Sequence, residues 1–179
     1  IKPIYGDVKE IRKESDKITV LTDVTNYESK TVIIATGRHP RKLGVANEEK
    51  LVGHGISYCA TCDGPLFKGK DVCVIGGGNS ALEESLYLSN ICNKVTIIHR
   101  KNEFTADQTI INKIKEHKKI EIKYNSVVST FNEKDGILKG VTLEDGTEIP
   151  CEGVFIYIGL ESNLDFLQHL SIKTENKSI

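Results

Sequence analysis

The apolar residues of this chain recur with two different periods. Residues 71–75 and 94–98 are short runs rich in valine and isoleucine, as is typical of buried strands. From 80 to 90 apolar side chains return near helical spacing, at Ala81, Leu82, Leu86 and Leu88, and Ile91 follows directly after this range. The order of strand, helix and strand predicts an α/β fold around the middle of the chain.

The flanking segments add further strands and a second helix. Three strands are predicted before the central unit, at 8–11, 18–23 and 31–35. A second helix is predicted at 104–118, with Ile110, Ile111 and Ile114 on one face. Later strands are predicted at 120–124, 127–131, 137–143, 148–151 and 154–158.

A linker is predicted at residues 39–44, which combine a proline, a glycine and several charges. We therefore expect a segment of strands at 1–42, an α/β domain at 43–160 and a returning segment at 161–179. Three strands without a covering helix are only marginally stable alone. The first segment is thus expected to belong to a domain of which this chain holds only a part.

A glycine-rich turn joins the first central strand to the helix, in the order Gly76-Gly77-Gly78-Asn79-Ser80-Ala81. This G-x-G-x-x-A spacing predicts a dinucleotide site, where the backbone approaches a pyrophosphate and the first helical N–H groups face the anion. Gly76 would make the tight turn, Gly78 would admit the phosphate, and Ala81 would let helix and strand pack closely. The alternative is a glycine turn required for steric reasons only. The candidate nucleotide-binding residues are Gly76, Gly77, Gly78, Asn79 and Ser80.

The second central strand ends in His99-Arg100-Lys101. Nucleotide sites selective for NAD carry an Asp or Glu at this point, to bind the ribose 2′-hydroxyl. Here the carboxylate is absent and two fixed positive charges replace it, as a 2′-phosphate requires. The sequence therefore favours NADPH over NADH, with a solvated basic strand end as the alternative.

A dithiol precedes the glycine turn, since Cys59 and Cys62 form a C-x-x-C that is followed by Asp63. Cycling between dithiol and disulfide carries two electrons, the same number as a hydride. Asp63 is a candidate acid or base for the thiol protons, and the alternative is a surface or helix-capping residue. A structural zinc site would normally need four ligands, and no second C-x-x-C pair exists. The remaining cysteines lie among apolar neighbours and are interpreted as core residues: Cys73, Cys92 and Cys151.

Composition narrows the class of protein. The chain has 179 residues, 39% hydrophobic content and a net charge of −1, which suits one substantial globular domain and gives no reason to expect a nucleic-acid partner. Neither an 18-residue apolar run nor a charged-then-apolar leader is present, so we expect no membrane insertion and a cytoplasmic location. The chain opens with Ile-Lys-Pro and has no Met, and is therefore expected to be part of a longer protein.

Three stretches carry a resemblance to a known family: CATCDG, VIGGGNSALEE and IIHRK. Together they closely resemble the pyridine-nucleotide domain of the low-molecular-weight thioredoxin reductases. The resemblance runs from the strand ending Ala35-Thr36-Gly37 to that ending Ile158-Gly159. A related family, the flavoprotein subunit of alkyl hydroperoxide reductase, is the second candidate, because its sequences resemble the stretches CDGPLFKGKDV and TADQ.

The resemblance implies a Rossmann-like domain of the two-domain FAD/NAD(P) disulfide reductase type. It further implies an enzyme in which NADPH reduces FAD, the flavin reduces the Cys59–Cys62 disulfide, and the dithiol reduces a thioredoxin-like protein. Cys62 would face the flavin and Cys59 would attack the protein substrate. The glycine motif for FAD and the later flavin segment are absent, so the FAD site is expected to be incomplete and the chain alone inactive.

The family also suggests a homodimer for the full-length protein. A different class remains open, a nucleotide-sensing binding module whose C-x-x-C is vestigial. The chain departs from the family at Thr105, where thioredoxin reductases usually carry a third basic residue. Two cations instead of three predict that NADPH is preferred by a smaller margin.

Overall fold

The computed structural model describes residues 2–167 and residue 170. The chain divides into two compact units, Ile1–His39 with Leu160–Ile179, and Pro40–Gly159. The sequence placed the first change of unit a few residues later, between 42 and 43. Two short strands lie where the chain changes unit, β4 (His39–Pro40) and β13 (Leu160–Glu161).

The first unit contains an antiparallel sheet of β1 (Val8–Glu14), β2 (Lys17–Thr22) and β3 (Asn26–Ser29). Ile11 is buried there with Phe166 and Leu167, which belong to the 3-10 turn Asp165–Leu167. The predicted strand at 31–35 is wrong. The hydroxyl of Thr22 closes a turn with Thr25, so Asn26 already pairs with Leu21 and becomes the third strand.

Five parallel strands form the central sheet of the second unit, in the order β5-β12-β6-β7-β8. The strands β6 and β7 were predicted almost to the residue, because runs of valine and isoleucine that are buried on both faces are typical of parallel sheets. The bounds are β5 (Ile56–Ser57), β6 (Asp71–Gly76), β7 (Lys94–Ile98), β8 (Ile120–Lys123) and β12 (Gly153–Tyr157).

Alternate residues of the central strands face different layers, since successive side chains of a strand point to opposite faces. Val72 and Val74 pack with the helices, whereas Cys73 and Ile75 pack with a three-stranded antiparallel sheet. That sheet has the order β11-β10-β9. Its strands are β9 (Val128–Lys134), β10 (Ile137–Leu143) and β11 (Glu148–Pro150).

The helices are α1 (Glu48–Leu51), α2 (Ala60–Asp63), α3 (Asn79–Ser89) and α4 (Gln108–Glu116), with a 3-10 turn at Gly64–Phe67. The prediction of a helix from 104 was wrong at its start. Phe104 is buried against the rings of His99 and Tyr124 in a loop, and α4 begins only after Asp107. Among the described residues no helix is both long and apolar enough to cross a membrane.

Candidate active site at the carboxyl edge of the sheet

Four parallel strands deliver the candidate residues to one edge of the central sheet. Cys59 follows β5, Gly76 closes β6, His99 follows β7 and Tyr157 closes β12. The carboxyl ends of parallel strands meet at the same edge, where open α/β sheets bind their ligands. Because β12 lies between β5 and β6, Tyr157 stands between the dithiol segment and the glycine turn.

The glycine turn is closed on its inner side. A Cβ on Gly76 would lie 2.3 Å from the carbonyl oxygen of Tyr157 and 2.9 Å from the Cβ of Ala81, and its φ of +150° favours glycine. A Cβ on Gly77 would lie 2.2 Å from Nδ1 of His99. Only glycine fits at these two positions, and the small Ala81 packs where the G-x-G-x-x-A spacing predicted it.

The outer side of the turn is open. A Cβ on Gly78 would meet no atom within 4 Å, and the following Asn79 and Ser80 are exposed. Gly78 precedes the first residue of α3, so the first N–H groups of that helix have no partner within it. Open space in front of unpaired N–H groups at a helix start suits a phosphate group.

The basic strand end divides into a buried and an exposed part. His99 is only 7% exposed, and its Nε2 lies 2.9 Å from the carbonyl oxygen of Glu103. Burial lowers the pKa of His99, so the ring is neutral near pH 7 and packs beneath the turn. Arg100 and Lys101 are exposed, and within the described chain their side chains form no hydrogen bond or ion pair. Both cations are therefore available to a ligand.

The dithiol is oxidised in the structure, with Cys59 and Cys62 joined by a disulfide across the short helix α2. The Sγ of Cys59 accepts a hydrogen bond from the N–H of Cys62 at 3.3 Å and lies 3.4 Å from the hydroxyl oxygen of Thr61. Cys59 is half-buried and Cys62 is exposed. The donors around Cys59 would stabilise its thiolate after reduction.

Asp63 is tied to the dithiol through Ser57, a residue that sequence reasoning missed. The hydroxyl of Ser57 donates to Oδ2 of Asp63 at 2.6 Å and accepts from the N–H of Cys59 at 3.0 Å. The carboxylate is therefore fixed beside the cysteines by a buried hydroxyl. A serine two positions before a C-x-x-C was the available signal, although serine at strand ends is too common to be specific.

Tyr157 contacts both the dithiol helix α2 and the glycine turn. Sequence reasoning did not identify this residue either. Its hydroxyl accepts the N–H of Ala60, between the two cysteines, at 2.7 Å. Burial raises the pKa of Tyr157 to about 12, so the phenol stays protonated. A tyrosine at the end of an otherwise aliphatic buried strand was the signal in the sequence.

Glu48 anchors the segment before the dithiol. This carboxylate is 2% exposed and accepts three hydrogen bonds, from the N–H groups of Leu43 and Gly44 at 2.9 and 2.7 Å and from the hydroxyl of Tyr58 at 2.9 Å. Burial and then this hydrogen bond raise the pKa of Tyr58, which keeps the phenol as a donor. Glu48, in α1, thus links two residues that precede the helix to Tyr58, the neighbour of Cys59.

The remaining three cysteines are buried free thiols, as the sequence indicated: Cys73, Cys92 and Cys151. The contact with Cys151 and burial both raise the pKa of Cys73, and burial raises that of Cys92 to about 11. Protonated, buried thiols are poor nucleophiles. Cys59 and Cys62, which form the disulfide, remain the candidate reactive pair.

A parallel sheet that carries a dinucleotide-type turn and a disulfide at one edge defines a class of redox proteins. All of the chain, residues 1–179, matches the pyridine nucleotide-disulphide oxidoreductase family, and the chain belongs to that family.

Within the family, the chain is similar to thioredoxin reductases. It is 42% identical over 161 residues to that of Listeria innocua, covering 87% of this chain and 50% of the relative, and 38% identical over 176 residues to that of Bacillus subtilis, covering 96% and 56%. The crystal structure of Lactococcus lactis thioredoxin reductase matches with a TM-score of 0.85 and 36% identity, over 96% of this chain and 58% of that one. The chain thus spans about half the length of the relatives it matches.

Proposed function

We propose that this chain carries the NADPH-binding and dithiol parts of a thioredoxin-disulfide reductase. The observation that carries the proposal is the position of Tyr157, whose hydroxyl binds the dithiol helix while its carbonyl oxygen lies against the glycine turn. Nucleotide turn and disulfide are thereby parts of one site. The similarity to thioredoxin reductases supports the same assignment.

The nucleotide would lie along the carboxyl edge of the sheet. The N–H groups that follow Gly78 would bind the pyrophosphate, and Arg100 and Lys101 would bind the 2′-phosphate of NADPH. We assign His99 a supporting role, because its ring is buried under Gly77. When bound, NADPH supplies a hydride, and the exposed cations favour it over NADH.

The dithiol would transfer two electrons to a protein disulfide. Reduction of the Cys59–Cys62 bond takes up two electrons and two protons. The Cys59 thiolate then attacks a disulfide of a thioredoxin-like protein, forms a mixed disulfide and releases one substrate thiol. The thiol of Cys62 attacks the sulfur of Cys59, which restores the internal disulfide and releases the second substrate thiol. Asp63 would exchange the thiol protons.

Cys59 is proposed as the attacking residue because of its donors. The N–H of Cys62 and the Thr61 hydroxyl surround its sulfur, and both stabilise a thiolate. Cys62 is the more exposed of the two in this chain. Stabilisation of the Cys59 thiolate is expected to outweigh the greater exposure of Cys62.

A flavin does not fit the residues present. The sequence has one dinucleotide turn, at 76–81, and we assign that turn to NADPH. When bound elsewhere in a complete protein, FAD would relay electrons between nicotinamide and disulfide. Homodimer formation stays a prediction from the family resemblance, and a cytoplasmic location stays a prediction from the sequence.

Nucleotide binding and turnover of this chain can be measured separately. Calorimetry should detect NADPH binding to the chain, while NADPH should not drive reduction of a thioredoxin-like protein without an added flavoprotein. The chain reduced by dithiothreitol and then desalted should reduce one thioredoxin disulfide per molecule. Multiple NADPH-driven turnovers, or no transfer from the reduced chain, would contradict the proposal.

A further inference from the structure

The loop between β7 and α4 is attached to the glycine turn at three points. Nε2 of His99, at the start of the loop, lies 2.9 Å from the carbonyl oxygen of Glu103 while its ring packs under Gly77. The N–H of Thr105 donates to the carbonyl oxygen of Gly77 at 2.8 Å. At the end of the loop, Asn79 binds Asp107. The loop carries Arg100 and Lys101 and is thus fixed to the turn along its length.

The Asn79 side chain makes both bonds of the third attachment. Its Nδ2 donates to Oδ2 of Asp107 at 2.9 Å, and its Oδ1 accepts the N–H of Asp107 at 2.8 Å. Asn79 is the first residue of α3, and Asp107 immediately precedes α4. One amide group therefore links the start of the helix that faces the phosphate site to the end of the basic loop.

The shape of NADPH explains why the contact between Asn79 and Asp107 would matter for binding. In NADPH the pyrophosphate and the 2′-phosphate are attached to the same ribose, so the distance between the two anions varies little. A site that binds both must keep its helix start and its cations at a matching distance. Fixing that distance before the ligand arrives avoids the entropic cost of ordering the loop on binding.

We propose that Asn79, through its contact with Asp107, sets the selectivity for a 2′-phosphorylated nucleotide without touching the 2′-phosphate. This inference rests on the proposed NADPH site. Asn79 is a positioning residue that acts through Arg100 and Lys101. NADH has no group for the two cations, so its affinity should not depend on the loop.

The test compares Kd values for NADPH and NADH by calorimetry. Asn79→Ala should weaken NADPH about threefold to tenfold, the effect of losing one or two hydrogen bonds, and change NADH less than about twofold. Gln108→Ala is the matched control, because it removes an exposed hydrogen bond of 2.8 Å from the Gln108 side-chain amide to Oδ1 of Asn112 within α4. The control should change neither affinity. Asp107→Asn keeps an acceptor for Asn79 and should retain the selectivity.

A thermodynamic cycle identifies the route of the effect. In an Arg100→Ala/Lys101→Ala background, Asn79→Ala should no longer change NADPH affinity, because the cations that it positions are gone. If wild type binds NADH as tightly as NADPH, the NADPH assignment itself fails. If wild type prefers NADPH but Asn79→Ala weakens both nucleotides equally, or neither, Asn79 only supports the turn and this inference is overturned.

Discussion

The glycine turn and the dithiol segment lie at the same edge of one sheet but are built by different means. The turn depends on missing side chains, since a Cβ at Gly76 or Gly77 would collide with backbone or a buried ring. The dithiol segment depends on side chains that are present, because Ser57 and Tyr157 bind its N–H groups. Steric exclusion shapes one part of the site and hydrogen bonding shapes the other.

This difference has consequences for substitution. Added atoms in a closed turn force neighbouring backbone to move, so errors there cost folding stability. Loss of a hydroxyl beside the dithiol causes no collision but leaves an N–H group without its acceptor, so we expect a smaller loss of stability together with a change in thiol chemistry. The two regions should therefore respond to mutation through different measurements, one through unfolding and binding, the other through thiol chemistry.

The largest effect is expected at the dithiol. Cys62→Ser should trap a mixed disulfide between Cys59 and a thioredoxin-like substrate, because the resolving thiol is missing, whereas Cys59→Ser should trap little or none. Mass spectrometry of the non-reduced complex measures both. The three buried thiols serve as internal controls and should stay unmodified. Trapping through Cys62 instead would reverse the assigned roles.

Gly76→Ala should lower the free energy of unfolding by about 3 kcal/mol, from the unfavourable φ and the collision with the Tyr157 carbonyl. Denaturant unfolding followed by circular dichroism measures it. Gly78→Val is the matched control, since a Cβ there meets nothing. That variant should fold normally yet bind NADPH more weakly, because its side chain occupies the space proposed for the pyrophosphate. Equal stability of the two variants would contradict the steric account.

Arg100→Ala should weaken NADPH binding about tenfold or more and leave NADH nearly unchanged, through loss of a charge-assisted contact to the 2′-phosphate. Lys118→Ala, which also removes an exposed charge, controls for the general field of the protein. Calorimetry with both nucleotides measures the difference. A similar loss for NADH, or for the control, would leave the basic pair as a solvated strand end.

The smallest effect is expected at Thr105. Substitution removes the 3.3 Å hydrogen bond from the Thr105 hydroxyl to the carbonyl oxygen of Gly77 but keeps the 2.8 Å hydrogen bond from the Thr105 N–H to the same oxygen. Because the side chain is exposed, Thr105→Arg should add a third cation without moving the loop. NADPH should bind about threefold more tightly, and the affinity for NADH should stay unchanged. Thr105→Gln adds length without charge and should improve neither. Tighter NADH binding in the arginine variant would show a non-specific effect.

The sequence predicted the parts of the molecule that depend on local pattern. Consecutive residues were sufficient to predict the buried strands β6 and β7, the glycine turn and the C-x-x-C. The strand at 31–35 was wrong because its β-branched residues suit a strand, while the Thr22 turn had already supplied Asn26 as the partner of Leu21. The β-propensity of a segment does not show which of two neighbouring segments pairs with β2.

The residues that were missed share a different property. Tyr157 binds Ala60, a residue 97 positions away in sequence. Such a pair becomes visible only once the sheet order is known, because β12 must lie beside β5 for the two to meet. The burial of His99 had the same origin, since Phe104 and Gly77 enclose its ring only after the loop has folded back.

The buried carboxylate of Glu48 should slow local opening of the segment at 43–44. Releasing Leu43 and Gly44 from the fold would leave a buried charge without two of its three donors, a costly state. Their amide hydrogens should consequently exchange with deuterium at rates typical of the central strands, although their composition is that of a linker. A protease should likewise find no cleavage point there until the whole unit unfolds.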